Sequence, residues 1–125
     1  MIYENYMCRA SRTLLIGAGP SSAQLIRETS AYCDAIVAAD GGFEAAKQAG
    51  VQVALVVGDM DSQQALPAGQ AVAHITDQET TDFQKCLAVC DADVFLGVGF
   101  LGGRLDHQLA GFSALLNEPR PVVLI

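Results

Sequence analysis

The sequence is short of charge, and the charge it has leans one way. Only 17% of its 125 residues are charged, and acidic residues outnumber basic ones fourteen to seven. The formal net charge is −7. No basic stripe runs through the chain, which argues against a nucleic-acid binder. No apolar run reaches the roughly 18–20 residues that a membrane span needs. Residues 1–12 are polar and lack the apolar centre of a signal peptide. The expectation is a soluble, cytoplasmic protein with neither nucleic acid nor membrane as partner. Internal repeats and low-complexity segments are absent. The four cysteines, Cys8, Cys33, Cys86 and Cys90, form no Cys-x-x-Cys pair. Cys86 and Cys90 could share a helix face, but too few soft ligands accompany them for a zinc site. They read as reduced thiols filling the core.

What is abundant is apolar. Hydrophobic residues make up 51% of the chain, and the length is about that of one domain. Short apolar runs at residues 12–16, 35–39, 53–57, 71–75, 94–97 and 122–125 read as strands. Helical patterns fall between them, at residues 22–31, 43–49, 78–90 and 105–116. Ser21 or Ser22 can cap the first helix, and Gly50 suits the residue after the second. The strands are unbroken apolar runs rather than alternating ones. That predicts an α/β fold: a three-layer, open, mostly parallel sheet with helices on both faces, Rossmann-like. The chain stops inside an apolar strand with no polar tail. A larger protein that continues, or a domain cut out of one, is therefore expected.

Asp residues gather at the strand ends, where open parallel sheets bind ligands. Asp59 and Asp61 flank Met60 in Gly58-Asp59-Met60-Asp61-Ser62, directly after the third strand. Unpaired, two such carboxylates repel each other. A hard divalent cation such as Mg²⁺ between them would resolve the repulsion, because it takes oxygen ligands and keeps waters that a substrate phosphate can displace. Asp40 follows the second strand, Asp77 and Asp82 follow the fourth, and Asp106 follows the Gly-rich loop at residues 97–103. In Thr80-Thr81-Asp82-Phe83-Gln84-Lys85, a threonine can cap the helix and Asp82 complements its dipole. Lys85 stands one turn on, in reach of a phosphate. In Gly102-Gly103-Arg104-Leu105-Asp106-His107, the glycines admit a ligand close to the backbone and Arg104 offers a planar fork for phosphate oxygens.

A rival signal lies in Gly17-Ala18-Gly19-Pro20-Ser21-Ser22, with Asp40 some twenty residues on. This is the dinucleotide-binding fingerprint in outline. Ser22 stands where its third glycine belongs, and a nicotinamide enzyme has no use for Asp59, Asp61 and Asp82. A non-catalytic nucleotide-binding or regulatory module of the same fold is a further alternative.

Ala39-Asp40-Gly41-Gly42 together with the three motifs above resembles, in content, order and spacing, the catalytic domain of thiamine pyrophosphokinase. The resemblance spans nearly the whole chain, so residues 1–125 would be that catalytic domain. It implies Mg²⁺-dependent transfer of a pyrophosphoryl group from ATP to thiamine, giving thiamine diphosphate and AMP. By the same resemblance Asp59, Asp61 and Asp82 are metal ligands, and with Asp106 they form the catalytic carboxylates. Asp40, Gly41, Lys85, Gly103, Arg104 and His107 would face the nucleotide. Family members continue into a β-sandwich domain that helps form the thiamine pocket and a homodimer. That domain has no counterpart in this sequence, so the chain alone is expected to bind Mg·ATP weakly and turn over little.

Overall fold

The computed structural model describes residues 6–60 and 66–125. Among these, six strands form one sheet: β1 (Cys8–Ile16), β2 (Ala35–Ala39), β3 (Leu55–Gly58), β4 (Val72–His74), β5 (Cys90–Val98) and β6 (Val122–Leu124). Their order across the sheet is β4-β3-β2-β1-β5-β6, and each pairing is parallel. Four helices accompany them: α1 (Ala23–Ser30), α2 (Phe43–Ala49), α3 (Asp82–Val89) and α4 (Leu105–Leu116). The α/β open sheet read from the sequence is the fold the chain adopts.

The unbroken apolar strands are explained by what covers them. Leu14 and Ile16 of β1, Ala38 of β2 and Val56 of β3 pack against Ile26 of α1 and Phe43, Ala46 and Ala49 of α2. Their neighbours Leu15, Val37, Ala39, Leu55 and Val57 face the other way, onto Phe83, Cys86 and Leu87 of α3 and Ala114 of α4. Consecutive side chains of a strand point to opposite faces, so a sheet covered twice needs apolar residues at every position. The last helix is the loosest part of this cover. Leu105, Leu109, Phe112 and Leu116 are exposed along α4, as are Val123 and Ile125 at β6. No helix among the described residues is long and apolar enough to cross a membrane.

Three boundaries differ by four residues from the sequence reading. The helix expected from residue 78 starts at Asp82. Asp77 accepts hydrogen bonds from the Glu79 N–H at 2.7 Å and the Thr80 hydroxyl at 3.0 Å, which hold this segment in a turn. Thr81 and Gln84 then cap α3 reciprocally: the Gln84 N–H donates to Thr81 Oγ1, and the Thr81 N–H to Gln84 Oε1. β1 starts at Cys8 and β5 at Cys90, each four residues earlier than expected, because the two pair with each other from their first residues.

The junction from α3 to β5 has no loop, and Arg120 makes that possible. Its guanidinium donates to the carbonyls of Leu87 at 2.7 Å and Cys90 at 2.6 Å, and to Glu118 at 2.6 Å. It also lies 4.7 Å over the Phe95 ring. Terminal carbonyls of a helix have no partner within it, and here an arginine from a distant segment supplies one. Burial alone would raise the Glu118 carboxyl, but the hydrogen bonds from Arg120 prevail and hold it below the usual range. Arg120→Ala is expected to cost about 2–4 kcal/mol of unfolding free energy, since it leaves a half-buried carboxylate and two carbonyls without their donor. Urea unfolding followed by circular dichroism measures this. A loss below about 1 kcal/mol would mean the cluster behaves as a solvated surface pair.

Candidate active-site cleft

β1 is where the winding of the sheet reverses, since its two neighbours are β2 and β5. Crevices beyond the carboxyl ends of strands at such a switch point are the ligand sites of open parallel sheets. Here the crevice is a cleft of about 590 Å³. The turn after β1 contributes Ala18, Gly19 and Pro20, and the loop after β5 contributes Gly99, Phe100, Gly103 and Arg104. Asp59 enters from the end of β3, and Thr81, Asp82, Phe83 and Lys85 enter from the start of α3.

The first two of these segments touch. The Gly17 N–H donates to the Val98 carbonyl at 2.8 Å and the Gly19 N–H to the Gly99 carbonyl at 2.7 Å. A β-carbon at Gly17 or Gly19 would lie 2.6 or 2.5 Å from the Gly99 carbonyl oxygen, a distance that real side chains do not tolerate. Close backbone packing thus accounts for the glycines that suggested a dinucleotide fingerprint. Ser22 is the N-cap of α1, its hydroxyl accepting from the Leu25 N–H at 3.0 Å.

The acidic wall is built around Asp40, which directly follows β2 and is 9% exposed. Its Oδ2 accepts from the Met60 N–H at 3.0 Å. Met60 has φ of 62°, in the left-handed region, which disfavours a non-glycine residue by about 1–2 kcal/mol. The bond to Asp40 holds this turn, and the turn aims Asp59 into the cleft. His74 Nε2 lies 3.0 Å from the Asp59 carbonyl; a carbonyl only accepts, so the ring carries its proton on that nitrogen. Gly58 leaves room for Asp40, since a β-carbon there would come within 2.8 Å of the Asp40 carboxyl carbon. The Asp40 carboxyl is pushed above its ordinary range, first by burial, then by the charge of Asp82 and by the hydrogen bond and charge of Asp59. Asp40, Asp59 and Asp82 therefore sense one another, although they come from three different segments.

Lys85, 4% exposed, lines the cleft one turn beyond Asp82. Arg104 stands at the rim and donates to Asp106 through Nε at 3.1 Å and Nη2 at 2.7 Å. These two side chains are 72% and 60% exposed. Of the described residues expected at the site, Asp40, Gly41 and Asp106 stand outside the cleft lining. Asp40 sits behind Asp59, and Asp106 is turned to Arg104. Gly41 lies against the turn after β1, where a β-carbon would meet that of Ala18 at 2.9 Å. Asp61 and the side chain of His107 lie outside the described residues. Among the described residues, no three His, Cys, Asp or Glu side chains form a group that could hold a metal. The structure adds an aromatic wall that sequence reasoning missed. The rings of Phe83 and Phe100 lie 5.0 Å apart at a tilt of 50°. Phe83 also belongs to the core cluster beneath α3, and the one available signal was a large aromatic, Phe100, inside a Gly-rich loop.

Fold and cleft together define an α/β open-sheet domain with a cleft at its topological switch point. The chain belongs to the family described as thiamin pyrophosphokinase, catalytic domain, which it matches over residues 26–124. Its fold is similar to that of thiamin pyrophosphokinase from Geobacillus thermodenitrificans, with a TM-score of 0.69 and 25% identity over 91% of this chain and 59% of that one. For thiamine pyrophosphokinase from Bacillus subtilis the values are 0.70 and 23%, over 92% and 60%. For thiamin pyrophosphokinase from Candida albicans they are 0.75 and 16%, over 100% and 64%. The chain thus spans 59–64% of the length of these solved structures. No curated protein sequence matches it.

The raised carboxyl of Asp40 gives the domain a definite pH dependence. A carboxyl whose folded-state pKa is raised supports folding while protonated and opposes it once ionised. Its contribution is full below the unfolded value of about 4 and is lost as pH rises through the folded value. Asp40→Asn keeps an acceptor for the Met60 N–H. It is expected to be more stable than wild type at about pH 7, with the gap closing below about pH 4. Urea midpoints measured across that range test this; a gap that does not change with pH would contradict it.

Proposed function

We propose that this chain provides the nucleotide- and metal-binding part of an enzyme that transfers a pyrophosphoryl group from ATP to thiamine, giving thiamine diphosphate and AMP. The observation that carries the reading is the convergence of Asp59, Asp82 and Lys85 on one switch-point cleft. Family membership supplies the reaction. The donor set fits Mg²⁺. Its oxygens are hard ligands, and the charges of Asp82 and Asp59, which add to burial in raising the Asp40 carboxyl, are ones a cation would relieve. Mg²⁺ is usually held by one or two carboxylates together with substrate phosphates and waters, not by an all-protein cage. Asp59 and Asp82 therefore suffice as its protein ligands, with Asp61 as a third. Bound there, the ion would offset charge on the phosphate oxygens.

The remaining work belongs to the chain's own side chains. Lys85 presents an ammonium to the phosphates from a nearly dry wall, where electrostatic stabilisation is strongest. Arg104 offers a bidentate fork. Its exposed tie to Asp106 is worth only about 0–1 kcal/mol, so exchanging that carboxylate for a phosphate costs little. A carboxylate of the cleft, Asp82 in its wall or Asp106 at its rim, takes the proton of the attacking hydroxyl. Phosphoryl-type transfer depends mainly on in-line positioning and charge compensation. The fixed turn at Met60 and the capped start of α3 provide the positioning. Phe83 and Phe100 offer an apolar face to a planar ring, and the acidic wall suits the cationic thiazolium of thiamine.

Calorimetric titration of ATP with and without Mg²⁺ tests the metal half of the site. Mg²⁺ is expected to tighten ATP binding to the wild-type chain, and Asp59→Asn is expected to lose about tenfold or more of that effect, roughly 1.4 kcal/mol. Unchanged metal dependence in the variant would remove Asp59 from the site. A second comparison separates the rim residues. Arg104→Ala is expected to weaken ATP binding by about tenfold, whereas Asp106→Asn should leave it within roughly threefold or tighten it. A tenfold loss in Asp106→Asn would place Asp106 in direct contact with the ligand.

A further inference from the structure

The end of the sheet opposite the cleft carries a second chemical grouping. Cys8 is the first residue of β1 and Cys90 the first of β5, and the two are register partners across the parallel pairing. Neighbouring strands lie roughly 4.8 Å apart, inside the 4.4–6.8 Å between α-carbons that disulfides use. Register partners point to the same face, and both cysteines belong to the cluster under α3. Cys90 is buried in it, and Cys8 is half exposed at its edge. The Met7 N–H donates to the Val89 carbonyl at 2.8 Å, which fixes the approach of the two strands just before the pair.

Their mutual interaction sets the two thiols apart. It lowers Cys8 to about 7 against the opposing effect of burial, and it raises Cys90. Cys8 is thus a thiolate in part at neutral pH. Burial raises both of the other cysteines, Cys33 and Cys86. Cys8 alone among the four combines access to solvent with thiolate character, the combination that selects cysteines for oxidation.

We propose that Cys8 is an oxidation site for hydroperoxides and that Cys90 is its resolving partner, the product being a Cys8–Cys90 disulfide. Cys8 Sγ attacks the terminal oxygen of the hydroperoxide. The S–O bond forms, the O–O bond breaks, and the alcohol leaves with a proton. Cys90 Sγ then attacks Cys8 Sγ. The S–S bond forms, the S–O bond breaks, and water leaves with the proton of Cys90. Two thiols lose two electrons, and the hydroperoxide is reduced to alcohol and water. The bridge joins the first residues of β1 and β5, which are already register partners. The grouping is remote from the cleft and stands independently of the function proposed there.

The test uses the reduced chain, freed of reductant and treated with one equivalent of cumene hydroperoxide. Thiol titration in denaturant is expected to fall from four to two, and peptide mapping should recover a Cys8–Cys90 link that dithiothreitol reverses. Cys8→Ser should retain its three thiols. Cys90→Ala, lacking the resolving thiol, should carry sulfenic or sulfinic acid at Cys8. Iodoacetamide alkylation of Cys8 in wild type should reach half its maximal rate near pH 7. Recovery of Cys8 in the wild-type chain as an oxyacid with Cys90 still free would overturn the proposal, as would equal loss of Cys33 and Cys8. The wild-type peptide map decides the matter even if Cys90→Ala fails to fold.

Discussion

The backbone after β1 and the backbone after β5 approach so closely that neither has room for a side chain where they meet. Gly17, Gly19 and Gly99 answer that constraint, and the cleft depends on it. A parallel sheet whose winding reverses at its central strand must bring a late strand, β5, against the first one. Once the two ends are locked by the Gly17 and Gly19 hydrogen bonds, the turn after β1 becomes one wall and the loop after β5 the other. The carboxyl ends of β2 and β3 and the start of α3 then close the remaining sides. Residues as far apart in sequence as Asp59, Lys85 and Arg104 share a cleft because of a contact made by glycines.

The acidic wall is assembled against local preference. Asp40 is buried, its neighbours Asp59 and Asp82 carry the same charge, and Met60 adopts a backbone conformation that non-glycine residues avoid. Each of these opposes folding, and each shapes the acidic wall beside the cleft. Such accumulations of strain and charge persist where the surrounding structure holds them in place. Here the holding is done by the rigid strands β2 and β3 and by the space Gly58 leaves. Removing the unfavourable term would make a more stable domain and, on the function proposed above, a poorer cation site, the usual trade between stability and function.

Most of the fold was legible because its signals are local. The apolar runs of β2 and β3, the pattern of α2 ending at Gly50, and α4 all follow from periodicity and turn chemistry. The early starts of β1 and β5 were not legible, because the polar stretch Cys8–Arg12 becomes strand only through a partner more than eighty residues away. The start of α3 was misplaced by four residues, since the Asp77 turn and the Thr81–Gln84 cap compete with a helical pattern that begins earlier. At the site, the sequence led to Asp59, Asp82, Lys85, Gly103 and Arg104, which line the cleft. It could not separate Asp106 from them. Whether a carboxylate faces the cleft or its neighbour Arg104 is decided by rotamers, not by spacing. Phe83 escaped notice because an aromatic within a helix reads as core, and Phe100 because nothing in a loop's sequence shows what its ring will face.

Arg120 closes the last turn of α3 from thirty-three residues downstream of Leu87. On a ribosome, the segment that makes α3 and β5 is therefore synthesised well before the group that completes their junction. During that interval the carbonyls of Leu87 and Cys90 must be satisfied by water, and the direct passage from helix to strand has no anchor. β1 waits in the same way for β5. Contacts of such long sequence separation form slowly and leave apolar surface open meanwhile. The clamp thus also orders events in time: the sheet can gather from β1 through β4 early, but its second half becomes secure only once residue 120 has emerged.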